Sequence, residues 1–459
     1  ITGSASCKKR IYFKHSKRML PEVACEMLDT PHFDPTITQL LPARFPSPLV
    51  TNFSTDSDRI ILDVSVEAHE KARTGEYDPI LLELAGPRED LFFEPLDSRA
   101  AIVTCGGLCP GINDVIRAIV MNLWHTYGCR DILGIRWGYE GLVERHRHEP
   151  LSLTPEVVDK IHEQGGSILG SSRGAQDIGE MVDFLENRGI DILFAIGGDG
   201  TLRAAHAIAQ EILARGLKRS VIAIPKTIDN DINFVAKSFG FETAFATAVT
   251  AIASAHTEAH AARNGIGLVK LMGRHSGFIA ANAVLANRDA NFCLIPEVDF
   301  DLEGENGLLT ALRKRLAKRG HAVIVVAEGA GQKFFDEVSG TDKSGNRKLG
   351  DIGLFLKERI DAFLRDSGTD FTIKYIDPSY IIRSVPAIPN DSVFCGFLGQ
   401  MAVHAGMAGK TDMLVGLWNN MFVHLPIQAA ISSRKMIDPA KKLWMSVLET
   451  TGQPDLKNP

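Results

Sequence analysis

Five short stretches of this 459-residue chain concentrate glycine, hydroxyl, carboxylate and cation. They are Cys105–Gly111 (Cys-Gly-Gly-Leu-Cys-Pro-Gly), Gly197–Thr201 (Gly-Gly-Asp-Gly-Thr), Pro225–Asp231 (Pro-Lys-Thr-Ile-Asp-Asn-Asp), Met272–Arg274 and Glu328–Gly331. Glycine lets backbone N–H groups approach an oxyanion, and a helix starting there adds unpaired N–H groups and a positive dipole. Gly106–Gly111 has that composition and precedes a helical pattern from Ile112. Its spacing is neither the dinucleotide fingerprint nor a P-loop, so a tight strand-to-helix turn competes with a phosphate cradle. In Gly198–Thr201, Asp199 can hold Mg²⁺ together with waters and phosphate oxygens, and Thr201 can cap the next helix or bond a phosphate. Glycines on both sides of Asp199 favour a ligand over capping alone. Lys226, Thr227, Asp229 and Asp231 bring a cation, a hydroxyl and two carboxylates to one loop. Two carboxylates at this spacing can act as a base and an orienting or metal-contacting partner, against the plainer reading of an Asx-turn. Arg173, within Gly170–Gly174, and Arg274 are cations beside glycine, suited to a bidentate grip on phosphate. Taken singly, each also reads as a surface arginine.

These stretches follow short apolar runs, which then give way to helical patterns. The runs are Ala101–Thr104, Ile132–Ile135, Ile192–Ile196 and Val221–Ile224, then Gly267–Leu271, Phe292–Ile295 and Ala322–Ala327. Such alternation predicts α/β architecture with parallel sheets, and two series of runs predict two lobes. Ligands bind beyond the carboxyl ends of such strands, where the polar stretches lie. Residues 1–95 are proline-punctuated, with one strand-like run at 59–64, and are expected to pack on the body as a separate extension. Residues 96–233 with about 384–409 are expected to form one lobe, 234–383 the other, and 410–459 a helical extension. Gly329–Gly353 reads as a mobile loop, with a plain solvated loop favoured over a lid.

Composition narrows the function. Fifty Lys and Arg against 56 Asp and Glu give a net charge of −6, which predicts no general attraction to nucleic acid or anionic membrane. No apolar run approaches the roughly 18 residues of a spanning helix, so a soluble protein is expected. Seven scattered cysteines are too dilute for a disulfide scaffold and point to a reducing compartment. Three suggestive patterns are set aside. Gly409-Lys410-Thr411 lacks the rest of a P-loop and reads as a helix C-terminus. His256 and His260 share a helix face, but Thr257 breaks the zincin pattern. Cys105 and Cys109 have no second pair for zinc.

In their order along residues 98–425, these motifs resemble the phosphofructokinase family, most closely its trypanosomatid ATP-dependent branch. The resemblance implies two Rossmann-like lobes and ATP-dependent phosphorylation of the 1-hydroxyl of fructose 6-phosphate. Gly107, Arg173, Gly174 and Gly198–Thr201, including Gly200, would surround the nucleotide phosphates, with Asp199 on Mg²⁺. Asp229 would take the hydroxyl proton, helped by Lys226 and Arg274, while Thr227, Ile228 and Asp231 would position sugar and metal. Met272, Gly273, Arg274, Glu328, Lys374, Tyr380 and Arg383 would hold fructose 6-phosphate, Arg383 on its 6-phosphate. Gly265 and Tyr380 stand where bacterial members carry arginine and histidine. A homotetramer with shared sites and a glycosomal location, otherwise cytoplasmic, are also implied. Lys226 is shared with pyrophosphate-using members, but Gly200 stands where they carry aspartate and points to ATP. The alternatives are a pyrophosphate-dependent enzyme, an NAD or lipid kinase sharing the Gly-Gly-Asp-Gly-Thr turn, and a sugar-phosphate sensor without turnover.

Overall fold

The computed structural model describes residues 33–335, 340 and 348–459. Cys7, Cys25 and residues 336–339 and 341–347 of the expected loop between Gly329 and Gly353 lie outside them. From Asp34 onward the described residues form one compact unit.

Two sheets carry the fold. The larger is built from β1 (Arg59–Ile61), β2 (Leu81–Leu84), β3 (Arg99–Thr104), β4 (Asp131–Ile135), β5 (Leu151–Ser152), β6 (Ile192–Gly197) and β7 (Ser220–Pro225). The smaller follows with β8 (Gly265–Leu271), β9 (Phe292–Leu294), β10 (His321–Ala327) and β11 (Thr372–Ile376). The chain then returns to the larger sheet with β12 (Met413–Trp418) and β13 (Met421–Pro426). The larger sheet has the order β1-β2-β13-β12-β7-β6-β3-β4-β5, the smaller β9-β10-β8-β11. The five strands β12-β7-β6-β3-β4 are parallel, as is all of the smaller sheet. All seven apolar runs fall within strands or overlap their ends.

Every residue of β6 and β7 is buried, as expected of parallel strands covered by helices on both faces. In the smaller sheet the two faces separate by alternation. Ile324 and Val326 of β10 enter one apolar cluster with Ile266 and Leu268 of β8, while Val323 and Val325 join the main core with Val269 and Leu271. Among the described residues no helix is long and apolar enough to cross a membrane.

The C-terminal residues from 410, expected to be helical, supply β12 and β13 first and become helical only afterwards, at Ile427–Ala430 and Lys442–Thr451. Asn419 and Asn420 both have positive φ (47° and 62°) and join strands registered Trp418 to Met421, which is a two-residue hairpin. The run Met413–Val415 is wholly buried, so it lacks the period of two that would have marked a strand. The N-terminal residues also do more than pack on the body, because β1 and β2 extend this sheet through the pairing of β2 with β13.

A buried ionic cluster locks that junction. Glu83 of β2 accepts from Arg88 at 2.8 Å, from Lys410 at 3.0 Å, and pairs with His424 of β13 at 2.9 Å. The carboxyl of Glu83 is held at about 2: burial pushes it up, but His424 and Lys410 outweigh burial. Lys410 also contacts Asp56 at 2.8 Å and Gln39 at 2.9 Å. The suggestive Gly-Lys-Thr is therefore structural, and it does follow a helix C-terminus at Met407. Removing one partner of a buried ion pair strands the other. Lys410→Met should destabilise the protein by about 3–5 kcal/mol in urea unfolding, with catalytic activity per folded molecule preserved. A melting curve matching the wild type would show the cluster to be dispensable.

Candidate active site

In the larger sheet β3 lies between β4 on one side and β6 on the other, which creates a topological switch point with a crevice beyond the strand ends. A cavity of about 850 Å³ opens there. Its lining includes Gly106 and Gly107 after β3, Gly198–Thr201 after β6, and Lys226–Asp229 with Asp231 after β7. Arg173, Gly174, Met272, Arg274 and Arg383 complete it. Sixteen predicted site positions thus lie in or beside one cavity, with Gly273 in the Met272–Arg274 turn.

The loop after β6 opens a 16-residue helix, α1 (Asp199–Ala214). Its N-cap is Gly198, which offers no side-chain cap, so the first N–H groups of α1 are left for an incoming anion. Gly197 cannot carry a side chain: a Cβ there would sit 2.1 Å from the Thr201 hydroxyl. At Gly200 a Cβ would meet nothing within 4 Å, so a side chain there would project into open space. The turn after β3 behaves differently from expectation. The helix that follows it spans Ile112–Met121, yet its Gly111 N-cap is packed against Cys395 and Phe239. Only Cys105–Leu108 reach the cavity, so the dipole of that helix does not serve the site.

Hydrogen bonds staple the loops together. Gly106 N–H donates to Ser172 O at 3.2 Å, and the Ser171 hydroxyl donates to Gly106 O at 2.6 Å. Lys226, buried, donates to Gly107 O at 2.6 Å, and burial draws its ammonium pKa down. A Cβ at Gly107 would stand 3.2 Å from Arg383 Nη1 and 3.4 Å from Arg173 Nη2. Two guanidiniums from opposite parts of the chain thus face the same backbone turn.

The loop after β7 is held in an unusual shape. Asn230 has φ of 55°, and its side-chain oxygen accepts from Ser238 N–H at 3.0 Å. The Thr227 hydroxyl donates to Asp231 at 3.0 Å and accepts from Asp229 N–H at 3.1 Å. Asp229 accepts from the Arg274 backbone, while its Oδ1 is buried with no hydrogen-bond partner among the described residues. Burial first, then the Asp231 and Glu328 carboxylates, raise its carboxyl to about 8.

Other predicted residues are less close. Glu328 is outside the lining but near Arg274, Lys270 and Arg383, with burial raising its pKa. Tyr380 is 74% exposed, with the Arg383 guanidinium 4.9 Å from its ring centre. Lys374 is not brought to the cavity and faces Glu258 at 3.8 Å. Sequence reasoning missed Arg203, His275 and Arg434, all of which line the cavity. Arg203 follows Asp199 by one helical turn, a spacing that signals an ion pair, and the two meet at 3.1 Å. Arg434 comes from coil with no glycine beside it, which left no signal.

The α/β fold thus brings glycine-rich turns and a buried carboxylate, its Oδ1 without a hydrogen-bond partner among the described residues, to one cavity. The phosphofructokinase family model matches residues 99–406. The chain belongs to that family. It is 54% identical over 390 residues to an ATP-dependent 6-phosphofructokinase of Borreliella burgdorferi, covering 83% of this chain and 87% of the relative. It is 46% identical to the enzyme of the same name from Trypanosoma cruzi over 376 residues, 81% of this chain and 77% of the relative. The fold is also that of a pyrophosphate-dependent phosphofructokinase from Marinobacter aquaeolei, with TM-score 0.63 and 18% identity over 79% of this chain and 93% of that one.

The state of Asp229 has a measurable consequence for stability. The folded protein keeps this proton up to about pH 8, whereas an unfolded chain releases it near 3.9. Between those values each rise in pH penalises folding, because the native state binds more protons than the unfolded one. Asp229→Asn removes the penalty. Its melting temperature should exceed that of wild type by about 2 °C or more at pH 8, with a smaller gain at pH 5. A gain independent of pH would mean that Asp229 is ionised in the folded protein.

Proposed function

We propose that this chain is an ATP-dependent 6-phosphofructokinase, transferring the γ-phosphoryl group of ATP to the 1-hydroxyl of fructose 6-phosphate, the phosphorylating step of glycolysis. The observation that carries this is the placement of Asp229, with one oxygen unpartnered, in a single cavity with the phosphate-cradling turns and the Met272–Arg274 turn. In this reading Gly107, Arg173, Gly174 and Gly198–Thr201 hold the nucleotide phosphates. Asp199 and Asp231 would hold Mg²⁺. The donor set fits: the two carboxylates already share one cationic side chain, Arg434, at 3.5 and 3.1 Å. Among the described residues no group of three or more His, Cys, Asp or Glu is placed to hold a metal, so phosphate and water would have to complete the shell of the ion. When bound, the ion neutralises charge on the phosphates.

Phosphoryl transfer depends mainly on positioning and charge neutralisation. Lys226, fixed by Gly107 O, faces the transferring group. The free Oδ1 of Asp229 receives the 1-hydroxyl proton, and nearby cations favour its ionised form once substrates are in place. Met272, Gly273, Arg274, Glu328, Tyr380 and Arg383 hold the sugar phosphate. Lys374 is half-exposed and outside the cavity of its own chain; a role on the sugar phosphate would require it to come from a neighbouring subunit of the homotetramer that the resemblance implies. The five described cysteines are free and buried, which fits a reducing compartment. A glycosomal location follows only from likeness to the trypanosomatid relatives.

Donor choice rests on Gly200. An aspartate there would project its carboxylate toward the nucleotide phosphates, and two unit charges at ~4 Å repel by about 4 kcal/mol at an effective dielectric near 20. A coupled assay for fructose 1,6-bisphosphate should show turnover with ATP and little with pyrophosphate. Gly200→Asp should lose ATP activity by at least about a hundredfold while folding normally; wild-type preference for pyrophosphate would overturn the donor assignment. Asp229→Asn should lower kcat by about a hundredfold or more with nucleotide affinity nearly unchanged. Near-normal turnover would remove it as the base.

A further inference from the structure

Segment 431–437, which contributes Arg434 to the cavity lining, is a strap pinned at several points. Ile431 O accepts from Arg203 at 2.9 Å, and Ser433 accepts from Asn233 at 2.7 Å. Lys435 N–H donates to Asp231 O at 2.9 Å, and its ammonium donates to Val235 O at 2.6 Å. At the far end Ile437 N–H donates to Glu297 at 2.9 Å, a carboxylate that also caps the Gly277 N–H. The backbone on either side of Arg434 is therefore fixed to the catalytic loop and to both sheets' helices.

The Arg434 side chain is not confined in this way. It is about one-third exposed (36%) and lines the cavity. Its Nη1 stands 3.1 Å from Asp231 Oδ2 and its Nη2 3.5 Å from Asp199 Oδ2. One planar cation spans the two carboxylates assigned above to the metal. A guanidinium and a divalent cation cannot both use the same carboxylate oxygens at close range, since their charges repel and the lone pairs are shared. A guanidinium is also well shaped to grip phosphate once released, and Arg434 lines the same cavity as Arg173 and Gly198, to which the nucleotide phosphates are assigned above.

We propose that Arg434 competes with the divalent cation for Asp199 and Asp231, and exchanges these carboxylates for a nucleotide phosphate when the metal–nucleotide complex binds. The inference rests on the reading of Asp199 as a metal-holding carboxylate. The exchange requires only rotation of one side chain, because the strap's backbone is already anchored. It couples the two binding events: Arg434 opposes metal alone and favours metal carried by nucleotide.

The test uses the full chain and two binding measurements without turnover. Free Mn²⁺ is titrated by electron paramagnetic resonance in the absence of nucleotide, and a non-hydrolysable Mg–ATP analogue by calorimetry. In Arg434→Ala, Mn²⁺ should bind about two- to fivefold more tightly, the range expected on deleting a partly exposed competing ion pair. The nucleotide analogue should bind more weakly in the same variant. Arg434→Lys, which keeps the charge but loses the planar bridge, should fall between wild type and Arg434→Ala on both scales, and serves if the alanine variant does not fold. A purely structural arginine would leave Mn²⁺ affinity unchanged or move both affinities in one direction. Asp199→Asn should abolish Mn²⁺ binding. If it does not, the metal assignment and the inference fall together; if it does and Mn²⁺ affinity is unchanged in both Arg434 variants, the inference alone is overturned.

Discussion

A carboxylate with one oxygen unpartnered, kept out of water beside two other carboxylates, is an unfavourable thing to build, and the cleft is arranged around tolerating it. Asp229 sits at the end of a fully buried parallel strand, so its position is set by a rigid sheet. The loop carrying it keeps its shape through Asn230 in the left-handed region and a Thr227–Asp231 hydrogen bond. Arg434 lies on Asp231 and favours the ionised form of Asp229, the Arg274 backbone donates to Asp229, and Lys226 is fixed to Gly107. Strain of this kind is characteristic of functional sites, where reactivity is maintained at the expense of local stability.

How far this could be read in the amino-acid order depends on where each residue sits. Residues at parallel strand ends were legible because fully buried strands appear as continuous apolar runs, and the polar residues just after them mark the crevice. Gly198–Thr201 and Lys226–Asp231 were found in this way. Arg434 and His275 were not, because neither coil nor the start of a turn has a period that points anywhere. The helix at Ile112 misled for another reason. Its glycine-rich entry has the composition of an anion site, but tertiary packing against Cys395 and Phe239 uses the glycines for close approach instead. β12 and β13 were hidden because burial on both faces erased alternation, leaving the Asn419–Asn420 turn as the sole local mark.

At two places in this protein one charged side chain serves several partners. Glu83 serves Arg88, Lys410 and His424 together, and Arg434 serves two aspartates. The first arrangement is sealed and joins chain segments; the second is half-open and lies where charge must be rearranged. Burial separates the two roles, since a sealed pair is expensive to break and a partly solvated one exchanges partners readily.

The strap at 431–437 also ties competence to the order of synthesis. Arg434 and Asp231 are 203 residues apart in the chain. At roughly 5–20 residues per second, the catalytic loop emerges from the ribosome about 10–40 s before the segment that pins it. The larger sheet waits as well, because β12 and β13 must arrive before β2 has an edge to join. The phosphate turns and Asp229 can thus be in place on a nascent chain whose loop is still unclamped. The clamped loop therefore has to wait until residues 413–437 have been made, which makes β12, β13 and the strap late conditions on its shape.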